Sequence, residues 1–122
     1  RWGFAGDYTR GMHMMMNHHS PDDWVLATGE THTVKEFAKI AFSHLGLDWK
    51  DFIVTSTKYE RPNEVKHLLG DPEKAKSELN WKPEVSFEQL VKMMVESDLE
   101  SAERESILIK KGMLKPTWEH AL

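Results

Sequence analysis

The sequence predicts a mostly helical α/β domain with two short strands, and three observations carry that expectation. Thr33-Val34-Lys35-Glu36 and Ser86-Phe87-Glu88-Gln89 each place a hydroxyl three residues before an acid or amide, the reciprocal signature of a helix N-terminus. Trp24–Thr28 and Phe52–Val54 are apolar runs too short for helices and suited to buried strands. A length of 122 residues supports one core, since one core serves roughly 100–200 residues, and leaves no room for a second large domain.

The elements follow in order. Asp7 to His19 has no proline and carries Met12, Met15 and Met16 at helical spacing, which reads as a buried, Met-rich helix stopping before Ser20-Pro21. Trp24–Thr28 is a strand closed by Gly29. The Thr33 box starts a helix with Phe37, Ala38, Ala41 and Leu45 on one face, and Gly46 ends it in the left-handed position. Phe52–Val54 is the second strand. Pro62 opens a short helix in which Val65, Leu68 and Leu69 face inward and Gly70 terminates. Asp71 as N-cap and Pro72 in the first turn start another, which runs through Ala75 and Leu79 and is ended by Trp81 and Pro83. The Ser86 box starts the longest helix, striped by Phe87, Leu90, Val91, Met94 and Leu99. That pattern weakens beyond about Glu105, giving a domain over residues 1–106 and a C-terminal tail over 107–122. Two strands do not form an independent sheet, so these are expected to join strands from another domain or chain.

Composition removes several function classes. Lys+Arg at 16 against Asp+Glu at 20 gives a net charge of −4, which lacks the basic footprint of a nucleic-acid binder. The absence of cysteine excludes disulfide frameworks, Cys-ligated zinc and cysteine nucleophiles from this chain. No apolar stretch approaches the ~20 residues of a membrane helix, and no secretory leader is visible, so a cytoplasmic location and no membrane partner are expected. The opening at Arg1-Trp2-Gly3, without Met, is expected to have sequence upstream of it.

Familiar catalytic motifs are missing. Gly3, Gly6 and Gly11 lack the Gly-x-Gly-x-x-Gly spacing that brings backbone against a pyrophosphate, and no P-loop occurs. Tyr8 and Tyr59 are followed four residues later by Met12 and Asn63, so no Tyr-x-x-x-Lys pair exists. His13, His18 and His19 have no carboxylate at ligand spacing, and the Met12–Met16 cluster is read as core rather than a soft-metal site; no metal is expected.

One segment does carry chemistry, Tyr59-Glu60-Arg61-Pro62-Asn63-Glu64-Val65. Arg61 precedes a helix start, where a planar guanidinium and free amides can bind phosphate oxygens. Glu64, one turn on, offers two oxygens to a vicinal diol such as a ribose. The competing reading makes Glu64 a helix-start acid and Arg61 a surface ion-pair partner.

Taken together, Trp2-Gly3-Phe4-Ala5-Gly6-Asp7-Tyr8, Ala27-Thr28-Gly29-Glu30, Thr31-His32-Thr33, Arg61-Pro62-Asn63-Glu64-Val65, Leu69-Gly70-Asp71-Pro72 and Trp81-Lys82-Pro83 resemble the carboxy-terminal part of the GDP-mannose 4,6-dehydratase family, within the extended short-chain dehydrogenase/reductase superfamily. The resemblance implies a small, mostly helical substrate-binding domain that packs on a Rossmann domain absent from this chain, about the last third of a two-domain enzyme. It implies an NADP-dependent conversion of GDP-mannose to its 4-keto-6-deoxy product, with oxidation at C4, loss of water across C5–C6 and return of the hydride to C6. It assigns the diphosphate contact to Arg61 and the ribose contact to Glu64. Arg1 is the candidate for the Arg of the family's Arg-Asp-Trp-Gly motif, although Trp2 follows it directly here. The resemblance places the NADP site and catalytic residues upstream, so this chain alone is expected to bind no cofactor and to be inactive. It also implies a homo-oligomer in the full enzyme. Two alternatives stand beside it: a non-catalytic nucleotide-sugar binding module, and part of a related GDP-sugar reductase or epimerase.

Overall fold

A computed structural model describes residues 2–56 and 68–116. Four α-helices and one 3-10 turn make up the regular structure of these residues: α1 (Ala5–Met16), α2 (Val34–His44), the turn Trp49–Asp51, α3 (Glu73–Leu79) and α4 (Phe87–Lys110). The two sequence-predicted strands are not formed among them. Trp24–Thr28 carries no regular structure, with Val25 55% exposed, and Phe52–Val54 leaves the 3-10 turn with Val54 90% exposed. A strand exists only through a ladder to a neighbour, and no described segment offers one. The helical part of the expected α/β class therefore holds, and the β part does not among the described residues.

Both capping boxes form. The Thr33 hydroxyl accepts from the Glu36 amide at 3.1 Å while Glu36 Oε2 accepts from the Thr33 amide at 2.6 Å, and Ser86 and Gln89 repeat the exchange at 3.2 and 2.9 Å. Each pair satisfies amides that a helix start otherwise orphans. Gly46, at φ +71°, ends α2: its amide donates to Ser43 O and the Leu47 amide to Phe42 O, the Schellman pattern. The expected Asp71 cap is displaced by one residue: α3 starts at Glu73 with Pro72 as its N-cap, and Asp71 Oδ1 accepts from the Glu73 amide at 3.0 Å from just outside the helix. Asn80, in the left-handed conformation at φ 53°, is what ends α3, ahead of Trp81 and Pro83.

α2 packs on α4, and α1 on α3. Among the described residues the fully closed core comprises Ala38, Ala75, Trp81, Leu90 and Val91. Helix α1 does not bury its methionines: Met12 is 57% and Met16 85% exposed. Its inward residues are Asp7 and Gly11. A Cβ on Gly11 would lie 2.6 Å from Leu26 Cδ1 and 2.9 Å from Trp81 Nε1, so the helix approaches its neighbours through the one residue small enough to allow it. α1 also ends at Met16, short of the expected His19, because the Asn17 side chain takes the His13 carbonyl at 2.9 Å.

A polar knot locks α1 to the loop before α4. Asp7 is only 4% exposed; its Oδ2 accepts from the Glu84 and Val85 amides at 3.0 and 3.1 Å, and its carbonyl accepts from Trp81 Nε1 at 2.7 Å. Arg10 completes the knot, donating to Asp7 Oδ1, Glu84 Oε1 and Lys82 O. On the other side Trp2 stacks on Phe37 with centroids 4.6 Å apart and donates its indole N–H to His32 O, while the His32 ring lies parallel to Phe87 at 3.8 Å. α4 continues through the expected boundary near residue 107 to Lys110.

Candidate functional site

Arg1, Arg61 and Glu64 all lie outside the described residues, as does most of the helix expected from Pro62. Leu68 and Leu69, expected to face inward, are 49% and 65% exposed. The described chain resumes at Leu68, four residues after Glu64. Gly70 sits against the Val25–Thr28 segment: a Cβ there would lie 2.6 Å from Ala27 Cβ. Only glycine permits this approach of the two chains.

Beside that contact is a cavity of about 570 Å³. Thr28 and Gly29 form one wall, Leu69 to Pro72 a second, and Lys82 and Pro83 a third. Three segments far apart in sequence thus converge on one concavity, and each belongs to a motif singled out from the sequence. Gly29 turns the first wall at φ +73°, with Pro72 Cδ 3.9 Å from the position a Cβ would take. Lys76 and Lys82 bring positive charge to the rim; Lys76 pairs with Glu73 at 3.3 Å. Asp71 and Glu73 also line the cavity, so its two cations are balanced by two acids.

A smaller cavity of about 210 Å³ adjoins it, sharing Thr28 and Pro83 and walled by Trp2, His32 and Phe87. His32 Nε2 is 3.0 Å from Glu30 Oε2, and its Nδ1 is 3.8 Å from Glu36 Oε2. The hydrogen bond from the Thr33 amide holds Glu36 below the usual carboxylate range, against a smaller opposing effect of desolvation. Elsewhere on the surface, Lys74 lowers Asp22 and is itself raised by it, and Lys92 lowers Glu88. Among the described residues no group of three His, Cys, Asp or Glu side chains is placed to hold a metal, and no helix is long and apolar enough to cross a membrane.

Sequence reasoning missed Lys76 and Lys82 as rim residues and Asp7 as the anchor behind them. Lys82 carries a faint signal in standing between Trp81 and Pro83, one buried and the other bordering the cavity. Asp7 reads from sequence only as an acid in a first helical turn.

The class these features define is a small helical unit whose motif-lined surface is a ligand-sized concavity. The family is given by comparison: the model of the GDP-mannose 4,6 dehydratase family matches residues 1–94. The chain is similar to GDP-mannose 4,6 dehydratase 2 of Arabidopsis thaliana, 53% identical over 113 residues, which is 93% of this chain and 30% of that protein. It is similar to the GDP-mannose 4,6 dehydratase of Homo sapiens, 41% identical over 116 residues, covering 81% of this chain and 31% of that protein. The GDP-mannose 4,6-dehydratase of Vibrio cholerae serotype O1 is 36% identical over 138 residues, covering 91% of this chain and 37% of that protein. The chain therefore belongs to the GDP-mannose 4,6-dehydratase family, and it spans only about 30% of the length of the plant relative.

Proposed function

We propose that this chain is the substrate-gripping part of a GDP-mannose 4,6-dehydratase. In this reading Arg61 holds the diphosphate, Glu64 the guanosine ribose and Arg1 adds a second cationic contact. The reading draws its support from the convergence of Thr28-Gly29, Leu69 to Pro72 and Lys82-Pro83 on one cavity, the second of these walls following Glu64 by five residues in sequence. A bidentate guanidinium matches phosphate oxygens, and a carboxylate accepts both hydroxyls of a ribose. The contribution to catalysis is positional: fixing the nucleotide half of the substrate orients the hexose for a reaction carried by other residues.

The residues present do not fit the NADP that the family implies. Gly6 and Gly11 lie within α1 rather than on a strand-to-helix turn, and Gly11 is filled by Leu26 and Trp81. The dinucleotide is assigned to a Rossmann domain elsewhere in the enzyme, against which this unit packs in a cytoplasmic homo-oligomer. Exposed Met12, Met16, Val25 and Val54 supply apolar surface for such packing.

Calorimetric titration of the whole enzyme with GDP-mannose and with UDP-glucose tests the ligand class, with selective GDP-mannose binding expected. Assayed by itself with GDP-mannose and NADP, the 122-residue chain is expected to show no turnover. Equal affinity for both nucleotide sugars, or turnover by the isolated chain, would overturn the assignment.

A further inference from the structure

Asp7 is a buried acid with no part in the proposed chemistry. It stands in the first turn of α1 and lines neither cavity. Its hydrogen bonds converge on one strap, Trp81 to Val85, which joins α3 to α4. Asp7 holds that strap at both ends: its carbonyl accepts from the Trp81 indole N–H at 2.7 Å, and its Oδ2 accepts from the Glu84 and Val85 amides at 3.0 and 3.1 Å. Its Oδ1 accepts from Arg10 at 3.1 Å, and Arg10 in turn donates to the Lys82 carbonyl at 2.7 Å.

The strap itself is neither helix nor strand. Among the described residues, every backbone hydrogen bond made by Lys82, Glu84 and Val85 goes to Asp7 or Arg10. Pro83 has no amide to give. Yet each of these residues lines a cavity: Lys82 and Pro83 wall the larger, and Pro83, Glu84 and Val85 wall the smaller. A wall left free would have to be ordered at the moment of binding, at the expense of affinity, whereas a wall fixed beforehand spares that loss.

We propose that Asp7 is a positioning residue for the nucleotide sugar: through the Trp81–Val85 strap it sets one wall of each cavity before the ligand arrives. The proposal rests on the reading of the larger cavity as part of the GDP-mannose site, and in it Asp7 touches no ligand. The geometry calls for a carboxylate. Two amides approach one oxygen and a guanidinium the other, and only a carboxylate accepts on both. A staple remote from the site would stabilise the fold and leave affinity alone. A staple whose strap is itself the wall moves both.

The test uses the whole enzyme with Asp7→Ala, Asp7→Asn, Arg10→Ala or Arg61→Ala, titrated with GDP-mannose below the unfolding midpoint of each, with circular dichroism matched to the parent. Asp7→Ala is expected to raise the dissociation constant about tenfold, and in turnover to raise KM by a similar factor while kcat changes less than about threefold. Asp7→Asn keeps one acceptor oxygen for the two amides and is expected to recover most of that affinity. Arg10→Ala frees the Lys82 carbonyl but leaves the Glu84 and Val85 amides on Asp7, so about threefold weaker binding is expected, and it decides the matter should Asp7→Ala not fold. Parental affinity in folded Asp7→Ala or in Arg10→Ala would overturn the proposal, as would an Asp7→Asn enzyme no better than Asp7→Ala. Arg61→Ala keeps the two readings apart. If it alone weakens binding, the strap proposal fails and the Arg61 assignment stands; if it binds as the parent does while Asp7→Ala is weakened, the Arg61 assignment fails and the strap stands.

Discussion

The two halves of α4 carry the same kind of stripe and meet opposite fates. In the first half Leu90 and Val91 close against α2, with Val91 fully buried, and the Ser86–Gln89 box fixes the start. In the second half Leu99, Ile107 and Leu108 are between 40% and 54% exposed. Amphipathicity states that a face wants cover; only the rest of the chain decides whether it is covered. The same contrast runs through α1, whose Gly11 face is sealed by Trp81 while Met12 and Met16 look outward.

Substitution breaks or sharpens this comparison, and the largest effect is expected at Trp81. Trp81→Ala empties the centre of the core formed by the described residues and removes the indole donor to the Asp7 carbonyl, for a loss of about 3–5 kcal/mol in denaturant unfolding, whereas Leu99→Ala should change stability by no more than about 0.5 kcal/mol. Comparable losses at the two positions would mean that the second half is as much part of the folding unit as the first. Asp7→Ala comes next, at about 2–4 kcal/mol, because the Glu84 and Val85 amides lose their acceptor and Arg10 one of its partners. The signature of that loss is a lowered midpoint of thermal unfolding with the α2 and α4 caps intact.

The smallest effect is expected at the cap of α2. Thr33→Ala should cost about 1 kcal/mol near neutral pH. Its pH dependence has a definite sign. Glu36 is held below its ordinary value of 4.5 in the folded chain, so its contribution is present above that value and fades as pH falls through the lowered one. Thermal melts at descending pH should therefore show the difference between a Glu36→Ala variant and the parent narrowing below about pH 4.5. A difference that widened there would contradict the capping account.

The helices were readable from sequence where local chemistry closes on itself. Thr33 with Glu36, Ser86 with Gln89, and Gly46 after α2 each act within a few residues, and each forms as expected. Features that depend on distant partners were not readable. Trp24–Thr28 has the composition of a strand, but a ladder needs a neighbour that the described residues do not supply. Helical spacing of Met12, Met15 and Met16 shows that they share a side, not that the side is inward. Asp7 gains its meaning only from amides more than seventy residues away. The candidate site divides in the same manner. The motifs flanking it were visible, and their meeting at one cavity, with Lys76 and Lys82 on its rim, required the fold.

The central claim, that this unit grips a nucleotide sugar through Arg61 and Glu64, is tested most directly by GDP-mannose titration of the whole enzyme carrying Arg61→Ala or Glu64→Ala. The account predicts a dissociation constant raised about tenfold or more in each variant, as expected when a charge-assisted contact is lost, with the fold retained. Unchanged affinity in both folded variants would contradict it.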